Sequence, residues 1–192
     1  MFTANRGVLI GLAFLALSQV AQASGPSALG ADGPAHQNTD KLMFFGQFVG
    51  NWEFDMTATK PDGSQVAGKG EWYFGWVLEG RALQDVWIFP GRGQSEPRGS
   101  WEYGSSVRFY DPKEDVWRLS WIGPVRTNMG SFTGRMVGNE FVFEGKDRDG
   151  DLAHWVYYDL HADHFQWRAE ISPDGGKTWK LIQHMNVRRV RG

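Results

Sequence analysis

The chain has 192 residues, 41 % of them apolar and 22 % charged, a balance typical of one globular domain with a buried core. Its formal net charge is −2, so it lacks the dense basic surface on which nucleic-acid binding depends, and we expect no nucleic-acid partner. Because it has no cysteine, disulfides, thiolate metal sites, a cysteine nucleophile and a lipidated cysteine anchor are excluded. Ten tryptophans and 25 glycines are typical of aromatic strands joined by glycine-rich turns.

The first residues have the pattern of a secretory signal peptide. Residues 1–6 carry one positive charge, residues 7–17 are an apolar run, and residues 21–23 (Ala-Gln-Ala) have the small-x-small pattern of a cleavage site. The apolar run is too short to span a bilayer comfortably, so we expect cleavage before Ser24 rather than a membrane anchor. This predicts a bacterial protein that is periplasmic or secreted and has no membrane association after cleavage.

The segment after the signal peptide, residues 24–38, is rich in Gly, Ala, Ser and Pro, and we interpret it as a flexible leader. A short helix is predicted over residues 39–48, capped by Thr39 or Asp40. Its expected apolar side consists of Leu42, Met43, Phe45 and Phe48. The organisation is therefore a signal peptide, a leader and one folded domain over residues 39–192.

Beyond the helix the pattern predicts β-structure throughout. The expected strands are residues 51–59, 66–76, 78–89, 101–110, 116–122, 128–135, 140–144, 152–160, 164–171 and 178–188. Turn residues separate them without helical patterns, which indicates antiparallel meander pairing. Because closure removes exposed sheet edges, we predict an all-β, antiparallel up-and-down barrel of about ten strands with one short N-terminal helix. A two-sheet sandwich is the alternative, and the polar loop at residues 91–100 is a candidate flap at the barrel mouth.

The stretch EWYFGWVLEGRALQDVWIFP, residues 71–90, places charged groups among large apolar ones. Because strand side chains alternate between faces, one face of its first half is expected to carry Trp72, Phe74, Trp76 and Leu78. One face of its second half is expected to carry Arg81, Leu83, Asp85, Trp87 and Phe89. Arginine and aspartate are costly to bury unless they are paired or contact a ligand. This mixture favours the wall of a pocket over a dry core.

Alternation along the remaining strands predicts further inward-facing residues. These are Trp52, Phe54, Met56, Trp117, Leu119, Trp121, Phe141, Phe143, Phe165, Trp167, Ala169, Ile171, Leu181, Gln183, Met185 and Val187. The eighth strand leaves two alternatives, since one face carries His154, Val156 and Tyr158 and the other carries Trp155 and Tyr157. We predict that the His154 face lines the interior.

These assignments predict a ligand site with aromatic walls and a few converging polar groups. The predicted ligand-binding residues are Trp72, Trp76, Arg81, Asp85, Trp87, Trp121, His154, Tyr158, Trp167 and Gln183. Arg81 is expected to hold a carboxylate or carbonyl group, and Asp85 or His154 to act as a general base if chemistry occurs. The alternative for the polar members is a structural cluster that satisfies its own hydrogen bonds. No catalytic residue, cofactor or metal is assigned.

Several strand-and-turn motifs resemble those of a bacterial domain-of-unknown-function family. They are Phe48-x-Gly50-x-Trp52, Trp76-Val77-Leu78-Glu79-Gly80-Arg81, Phe109-Tyr110-Asp111-Pro112 and Asp163-x-Phe165. The resemblance covers about residues 42–189 and implies a lipocalin-like, calycin-type barrel, without implying catalytic residues. The chain is more remotely similar to haem-binding nitrobindin-type barrels, and no histidine is assigned as a haem ligand.

A local motif, Ser172-Pro173-Asp174-Gly175-Gly176-Lys177-Thr178-Trp179, resembles the Asp-box of sialidase propellers, which is a structural hairpin. One copy cannot build a propeller, so we predict a stable hairpin turn here. Asp147-x-Asp149-x-Asp151 has the spacing of half a calcium loop, but its glycine is misplaced and Tyr158 stands where the closing glutamate is needed. We predict a solvated hairpin tip. His161-x-x-His164 shows no third ligand, so no metal site is predicted.

The leading hypothesis is an exported lipocalin-like barrel, monomeric or homodimeric, that binds a small apolar or aromatic molecule in its interior. A first alternative is a cofactor-free isomerase, cyclase or lyase on the same barrel, using Asp85 or His154. A second is a carbohydrate-binding module, in which exposed tryptophans form a flat stacking platform. The second alternative predicts several tryptophan rings on the outer surface.

Overall fold

The computed structural model describes residues 29–94 and 102–191. The signal peptide, the first part of the leader and most of the loop at residues 91–100 lie outside these residues. Signal cleavage and the flap therefore stay predictions. In the part of the chain that is described, no helix has the length and apolar character needed to cross a bilayer.

The described chain forms one helix and ten strands. These are α1 (Thr39–Gly46), β1 (Gly50–Thr59), β2 (Gln65–Val77), β3 (Ala82–Phe89), β4 (Glu102–Asp111), β5 (Val116–Gly123), β6 (Asn128–Val137), β7 (Glu140–Lys146), β8 (Leu152–Tyr158), β9 (His164–Ser172) and β10 (Lys180–Arg189). Each strand pairs antiparallel with its neighbours in sequence, and β1 also pairs with β10, so the sheet closes on itself. The up-and-down barrel is confirmed, and the sandwich alternative is wrong.

Alternating aromatic side chains fill much of the barrel. On β2, Trp72, Phe74 and Trp76 point inward and are at most 6 % exposed. The register places Trp72 opposite Trp52 on one side and opposite Trp87 on the other. Because residues that pair across strands share a face, these rings meet inside the barrel, and the aromatic alternation of the sequence becomes a continuous core.

Helix α1 plugs one end of the barrel. The Phe45 ring is fully buried and meets the rings of Trp117, Phe141 and Tyr157 edge-on, with centroid distances of 4.7, 4.9 and 5.5 Å. Phe48, just beyond the helix, packs against Phe165 with ring centroids 4.7 Å apart. These contacts fix the helix across the barrel end and leave the opposite end for a cavity.

Two details of the predicted helix are wrong. Met43 was expected on the buried side but is 44 % exposed, because the buried stripe runs through Leu42, Phe45 and Gly46 and Met43 lies one step around the helix. The cap is Asn38 in a left-handed backbone conformation, and its side chain makes no capping hydrogen bond. The Thr39 hydroxyl instead donates to the carbonyls of Ala35 and His36.

Part of the predicted leader lies along the turn between β2 and β3. The Ala31 N–H donates to the Trp76 carbonyl and the Ala35 N–H to the Gly80 carbonyl, both at 3.0 Å. Gly80 has a φ of +78°, and a Cβ there would lie 2.2 Å from the Gly33 carbonyl oxygen. Glycine is therefore required at this turn both for its backbone conformation and for the close approach of the N-terminal segment.

The inward positions predicted for Leu78 and Arg81 are wrong. Leu78, Glu79 and Gly80 all have positive φ and reverse the chain, so β3 begins only at Ala82. Leu78 is 58 % exposed, and the exposed Arg81 guanidinium pairs with the Glu79 carboxylate. The left-handed turn therefore interrupts the alternation of side chains between β2 and β3.

Two further inner-face predictions are wrong. The pairing register of β10 with β9 shifts between Leu181 and Gln183, which leaves Leu181 55 % exposed. On β8 the inward face carries Ala153, Trp155 and Tyr157, which belong to the barrel core, rather than the His154 face.

Candidate ligand-binding cavity

A cavity of about 370 Å³ lies inside the barrel, at the end away from α1. Exposed residues of two connections, Lys60 and Pro61 after β1 and Arg126 after β5, stand at its opening. Its walls include five tryptophans: Trp72, Trp87, Trp121, Trp155 and Trp167. A concave, mainly apolar space with a few polar groups is the usual form of a small-molecule site.

The tryptophan walls are held by neighbouring rings and by hydrogen bonds. Trp155 stacks on Phe132 with centroids 4.2 Å apart and meets Trp121 edge-on at 5.8 Å. The Trp121 indole N–H donates to the Asn128 side-chain oxygen at 2.8 Å, and that of Trp87 donates to a methionine sulfur on β10 at 3.3 Å. These contacts fix the orientations of the Trp87, Trp121 and Trp155 rings, and the indole N–H groups of Trp87 and Trp121 are satisfied.

A buried polar cluster lies beside the cavity. Asp85 and Arg108 are 1 % and 0 % exposed and form an ion pair. The Ser106 hydroxyl donates to the Asp85 carboxylate at 2.6 Å, and Arg108 Nη1 donates to the Tyr157 hydroxyl oxygen at 3.0 Å. Asp85, Ser106 and Tyr157 line the cavity, whereas the Arg108 guanidinium lies behind them, 4.9 Å from the centre of the Phe45 ring.

Burial fixes the ionisation of the tyrosine in this cluster. It raises the pKa of the Tyr157 hydroxyl, while the neighbouring Arg108 guanidinium opposes that rise. Tyr157 therefore stays neutral at physiological pH and keeps its hydroxyl hydrogen. Because this hydroxyl oxygen accepts from Arg108, its hydrogen is left for another partner, and no hydrogen bond donated by it is found within the described residues.

Two indole N–H groups of the cavity wall have no acceptor. Trp72 Nε1 and Trp167 Nε1 are buried without a hydrogen-bond partner in the described chain. Trp167 Nε1 is close enough to the Tyr157 hydroxyl to lower its pKa, but it does not reach hydrogen-bonding geometry. Both nitrogens are shielded from the open cavity as well as from solvent, and a buried donor without an acceptor costs about 1–3 kcal/mol.

The predicted ligand-binding residues divide by location. Those that line the cavity are Trp72, Asp85, Trp87, Trp121, Trp167 and Gln183. Trp76 is buried at the helix end of the barrel, next to Gly46, and is not part of the cavity wall. Arg81, His154 and Tyr158 lie outside the barrel interior. Ligand contact by the cavity-lining group stays a prediction.

His154 and Tyr158 belong to outer-surface clusters. The His154 ring stacks on Trp179 with centroids 3.6 Å apart, and its partial burial lowers its pKa. Tyr158 lies 4.8 Å below the guanidinium of Arg168, which pairs with Glu140 at 2.7 Å. The prediction that they line the interior is wrong. Trp179 and Arg168 cover the outer face of β8, so residues on this face are partly buried and its sequence resembles that of a core face.

The functional residues that sequence reasoning missed include Ser106 on β4 and Trp155 and Tyr157 on β8, which line the cavity, and Arg108 on β4, which lies behind it. A signal for β4 existed, since Glu102, Gly104, Ser106 and Arg108 share one parity and an inward-facing Asp85 needs a cation. Val107 and Phe109 have the opposite parity, and their apolar character indicates that face of β4, wrongly, as the buried one.

The Asp-box hairpin is confirmed as a structural turn. Asp174 Oδ1 accepts from the Thr178 N–H at 2.9 Å, and Asp174 Oδ2 accepts from the Thr178 hydroxyl at 2.6 Å. The Ser172 hydroxyl donates to Asp174 and accepts from the Gly176 N–H at 2.7 Å. These bonds lower the pKa of Asp174 to about 2. The turn places Trp179 on the outer face of β8, against His154.

The other acidic and histidine motifs also form turns. Asp147 Oδ1 accepts from the N–H groups of Asp149 and Asp151, both at 2.9 Å, as in the predicted hairpin tip. In the next connection the expectation that the two histidines have no third candidate ligand is wrong: one ligand atom each of Asp159, His161 and His164 lies within 4.8 Å of the others. His161 is hydrogen-bonded to Asp159 at 3.1 Å, and His164 is hydrogen-bonded to Asp163 at 2.8 Å. Hydrogen bonds therefore explain why these exposed side chains lie close together.

Two solved structures share this fold. The S-type phycobiliprotein lyase CPES from Guillardia theta has a TM-score of 0.52 and 14 % identity, over 78 % of this chain and 92 % of that chain. Rv2717c from M. tuberculosis has a TM-score of 0.55 and 12 % identity, over 78 % of this chain and 97 % of that chain. Likeness at such identity shows the fold alone, and the fold is a lipocalin-like barrel. No family model and no curated protein sequence matches the chain. Membership of the domain-of-unknown-function family and similarity to nitrobindin-type barrels therefore stay predictions.

Proposed function

We propose that this protein is an exported carrier of a small, mainly aromatic or apolar molecule, which it holds in the barrel cavity. The observation that carries the proposal is the space of about 370 Å³ between five tryptophan side chains. Protein interiors are normally packed without voids of this size, so a lined and open cavity favours occupation by a ligand. Export rests on the N-terminal sequence pattern alone.

The two alternatives gain no support from the geometry. As a general base, Asp85 would have to give up its ion pair with Arg108 and its bond from Ser106, and His154 lies outside the cavity. A carbohydrate platform needs exposed tryptophans, yet none of those that the structure describes is largely exposed. Binding in the interior is therefore the function we favour.

The first test is native mass spectrometry of the mature protein purified from its own host. We expect a discrete additional mass that is lost on denaturation. A chain that begins at Ser24 in the extracytoplasmic fraction is the expected result for export, and a chain that retains residues 1–23 in the cytoplasm would contradict that part of the proposal.

Binding in the cavity is tested with N-phenyl-1-naphthylamine, a neutral fluorophore that brightens in apolar sites. Ala58 lines the cavity on β1, whereas Ala67 is exposed on the adjoining strand. We expect Ala58→Trp to abolish probe binding by filling the space and Ala67→Trp to leave it unchanged. Equal binding by both variants would place the probe elsewhere, and the absence of any probe binding or co-purified mass would overturn the proposal.

A further inference from the structure

We propose that the cavity ligand is an amphipathic acid, whose apolar or aromatic body lies between the tryptophans and whose anionic group lies at the opening, beside Lys60 and Arg126. The inference rests on the proposed function and adds the chemical class of the ligand: an apolar body that ends in an anion such as a carboxylate. It assigns recognition of the charged end to the rim of the barrel and binding of the body to the cavity walls.

The charged groups at the inner end of the cavity are paired with each other. The Asp85 carboxylate lines the wall, and the Arg108 guanidinium behind it forms an ion pair with it. Arg108 also donates to the hydroxyl oxygens of Ser106 and Tyr157, at 2.9 and 3.0 Å. Within the described residues, both charges at this end of the cavity are therefore compensated, and it suits an uncharged part of the ligand.

The acidic residue near the opening is also engaged. Glu102 lines the cavity and is only 5 % exposed. Its Oε1 accepts from the N–H groups of Tyr103 and Val125, both at 3.1 Å, and its Oε2 accepts from the Arg126 N–H at 3.2 Å. These bonds hold the carboxylate against the backbone and fix the turn after β5 that carries Arg126.

The two cations at the opening have no such partners. The Lys60 N–H donates to the Ser64 carbonyl at 2.8 Å and the Arg126 N–H to Glu102, so these bonds involve only the backbone of the two cations. Within the residues that the structure describes, neither side chain forms an ion pair. Asp62, in the same turn as Lys60, instead accepts from the N–H and hydroxyl of Ser64, at 2.9 and 2.6 Å. Two positive charges are therefore available to an anion at the opening.

A smaller cavity beside the first has a similar arrangement. Its volume is about 140 Å³, and its shared walls with the main cavity are Trp121, Asn128, Trp155 and Ile182. Its lining cations are the exposed Lys146 and Arg148, of which Arg148 lies 3.8 Å from an exposed aspartate. Its lining acids are engaged, since Asp147 accepts from N–H groups of its own turn and Glu170 pairs with an arginine on its own strand. Connections after odd-numbered strands lie at one end of an up-and-down barrel, so these cations stand at the same end as Lys60.

Desolvation decides which end of the ligand lies inside. An anion among the tryptophans would lose its hydration and gain no uncompensated cation, which is costly. At the opening it keeps contact with water and meets Lys60 and Arg126, and a guanidinium is well suited to a carboxylate. A ligand cation at the same place would meet like charges.

The test compares three naphthalene derivatives that have the same four-carbon arm. 4-(1-Naphthyl)butanoate ends in a carboxylate, 4-(1-naphthyl)butan-1-amine in an ammonium group, and 4-(1-naphthyl)butan-1-ol in an uncharged hydroxyl. Each is titrated against bound N-phenyl-1-naphthylamine at pH 7. We expect the carboxylate to bind about tenfold more tightly than the ammonium compound. Raising NaCl from about 20 mM to about 500 mM should reduce this ratio to about threefold and leave the alcohol unchanged, because salt screens charges at an exposed opening.

Matched variants locate the anion. Lys60→Gln with Arg126→Gln removes the two cations of the opening. Lys69→Gln with Arg135→Gln removes two exposed cations that line neither cavity and changes the net charge by the same amount. We expect the first double variant to weaken binding of the carboxylate by about fivefold or more, and the second by less than about twofold. Both should bind the alcohol as the unmodified protein does.

The outcomes separate the two proposals. If the ammonium compound binds as tightly as the carboxylate, if salt leaves their ratio unchanged, or if both double variants weaken carboxylate binding equally, the anion inference is wrong while a binding cavity remains. If neither the fluorophore nor any of the three naphthalene derivatives binds, the proposed function itself fails. The comparisons of charge and salt use the unmodified protein, so they need no variant to fold.

Discussion

The Asp85 carboxylate on β3 and the Arg108 guanidinium on β4 form an ion pair that is almost completely shielded from water. Asp85 pairs in register with Ser106, which donates to it, so the hydrogen bonds of the pair come from adjoining strands. The guanidinium also lies near the rings of Phe45 and Phe74, at 4.9 and 5.5 Å from their centres. One cluster therefore joins the floor of the cavity to the helix plug.

This arrangement predicts that removing one charge of the pair lowers the stability more than removing both. Arg108→Met leaves the Asp85 carboxylate buried without a counter-ion, so we expect it to lower the free energy of unfolding by about 3–5 kcal/mol. The double variant Asp85→Asn, Arg108→Met removes both charges and is expected to be more stable than Arg108→Met alone. Equilibrium unfolding in urea measures all of these variants.

The control is Arg118→Met. Arg118 also pairs with an aspartate, Asp111, but both side chains are partly exposed. An exposed pair is worth about 1 kcal/mol at most, so this variant should lose little stability. Equal losses for Arg108→Met and the double variant would show that packing of the arginine side chain, rather than the unpaired charge, accounts for the destabilisation.

Most of the barrel could be predicted from the sequence, because strand alternation and turn residues are local properties. The alternation of Trp72, Phe74 and Trp76 identifies a buried face without knowledge of the neighbours. The inner-face predictions are wrong at positions where the alternation is interrupted, which are the left-handed turn before Arg81 and the register shift after Leu181. Such irregularities depend on how neighbouring strands pair, which no local pattern shows.

The candidate site was harder to predict because its polar residues are identified only by their partners. Asp85 was placed correctly, but the predicted neighbour, Arg81, is exposed, and the real counter-ion is Arg108 on the next strand. On β8, His154 and Tyr158 have their own partners outside the barrel, so both faces of that strand look buried in sequence. Tertiary contacts, which composition does not encode, decided between the faces.

The turn at Gly80 gives a second prediction. Gly80→Ala forces a Cβ into the left-handed region and into the backbone of Gly33, which would be only 2.2 Å away. Gly63 has a similar φ of +81° but open space around it, so Gly63→Ala isolates the backbone strain. We expect about 1 kcal/mol of destabilisation for Gly63→Ala and a further 1–2 kcal/mol for Gly80→Ala.

Limited proteolysis shows where the extra loss at Gly80 arises. If residues 31–35 are displaced from the β2–β3 turn, Gly80→Ala should expose them to cleavage while the barrel itself stays resistant. Equal stability and equal cleavage of the two glycine variants would mean that the N-terminal segment contributes nothing to the fold.

The Asp-box hairpin predicts an acid-dependent contribution to stability. The pKa of Asp174 is lowered to about 2 by bonds from Thr178 and Ser172, against 3.8 for an ordinary aspartate. A lowered carboxyl pKa stabilises the folded state fully above the unfolded value, and this stabilisation is lost as the pH falls from about 4 to about 2. Asp174→Ala should therefore lower the melting temperature at pH 7 but not near pH 2. Asp149→Ala, in another exposed turn, is the control and should change neither value.

His154 predicts a pH dependence at a higher pH. Its partial burial lowers its pKa below the usual histidine value, an effect that Glu144 and Glu170 oppose but do not cancel. Because the unfolded chain then binds the proton more readily, the stability due to neutral His154 is complete above about pH 6.5 and declines as the pH falls through the folded pKa. NMR titration of the ring should place its midpoint below 6.5. His154→Gln should make the melting temperature less dependent on pH between pH 7 and pH 5 than it is in the unmodified protein. A midpoint above 6.5 would mean that the two glutamates outweigh burial, and the slope would then have the opposite sign.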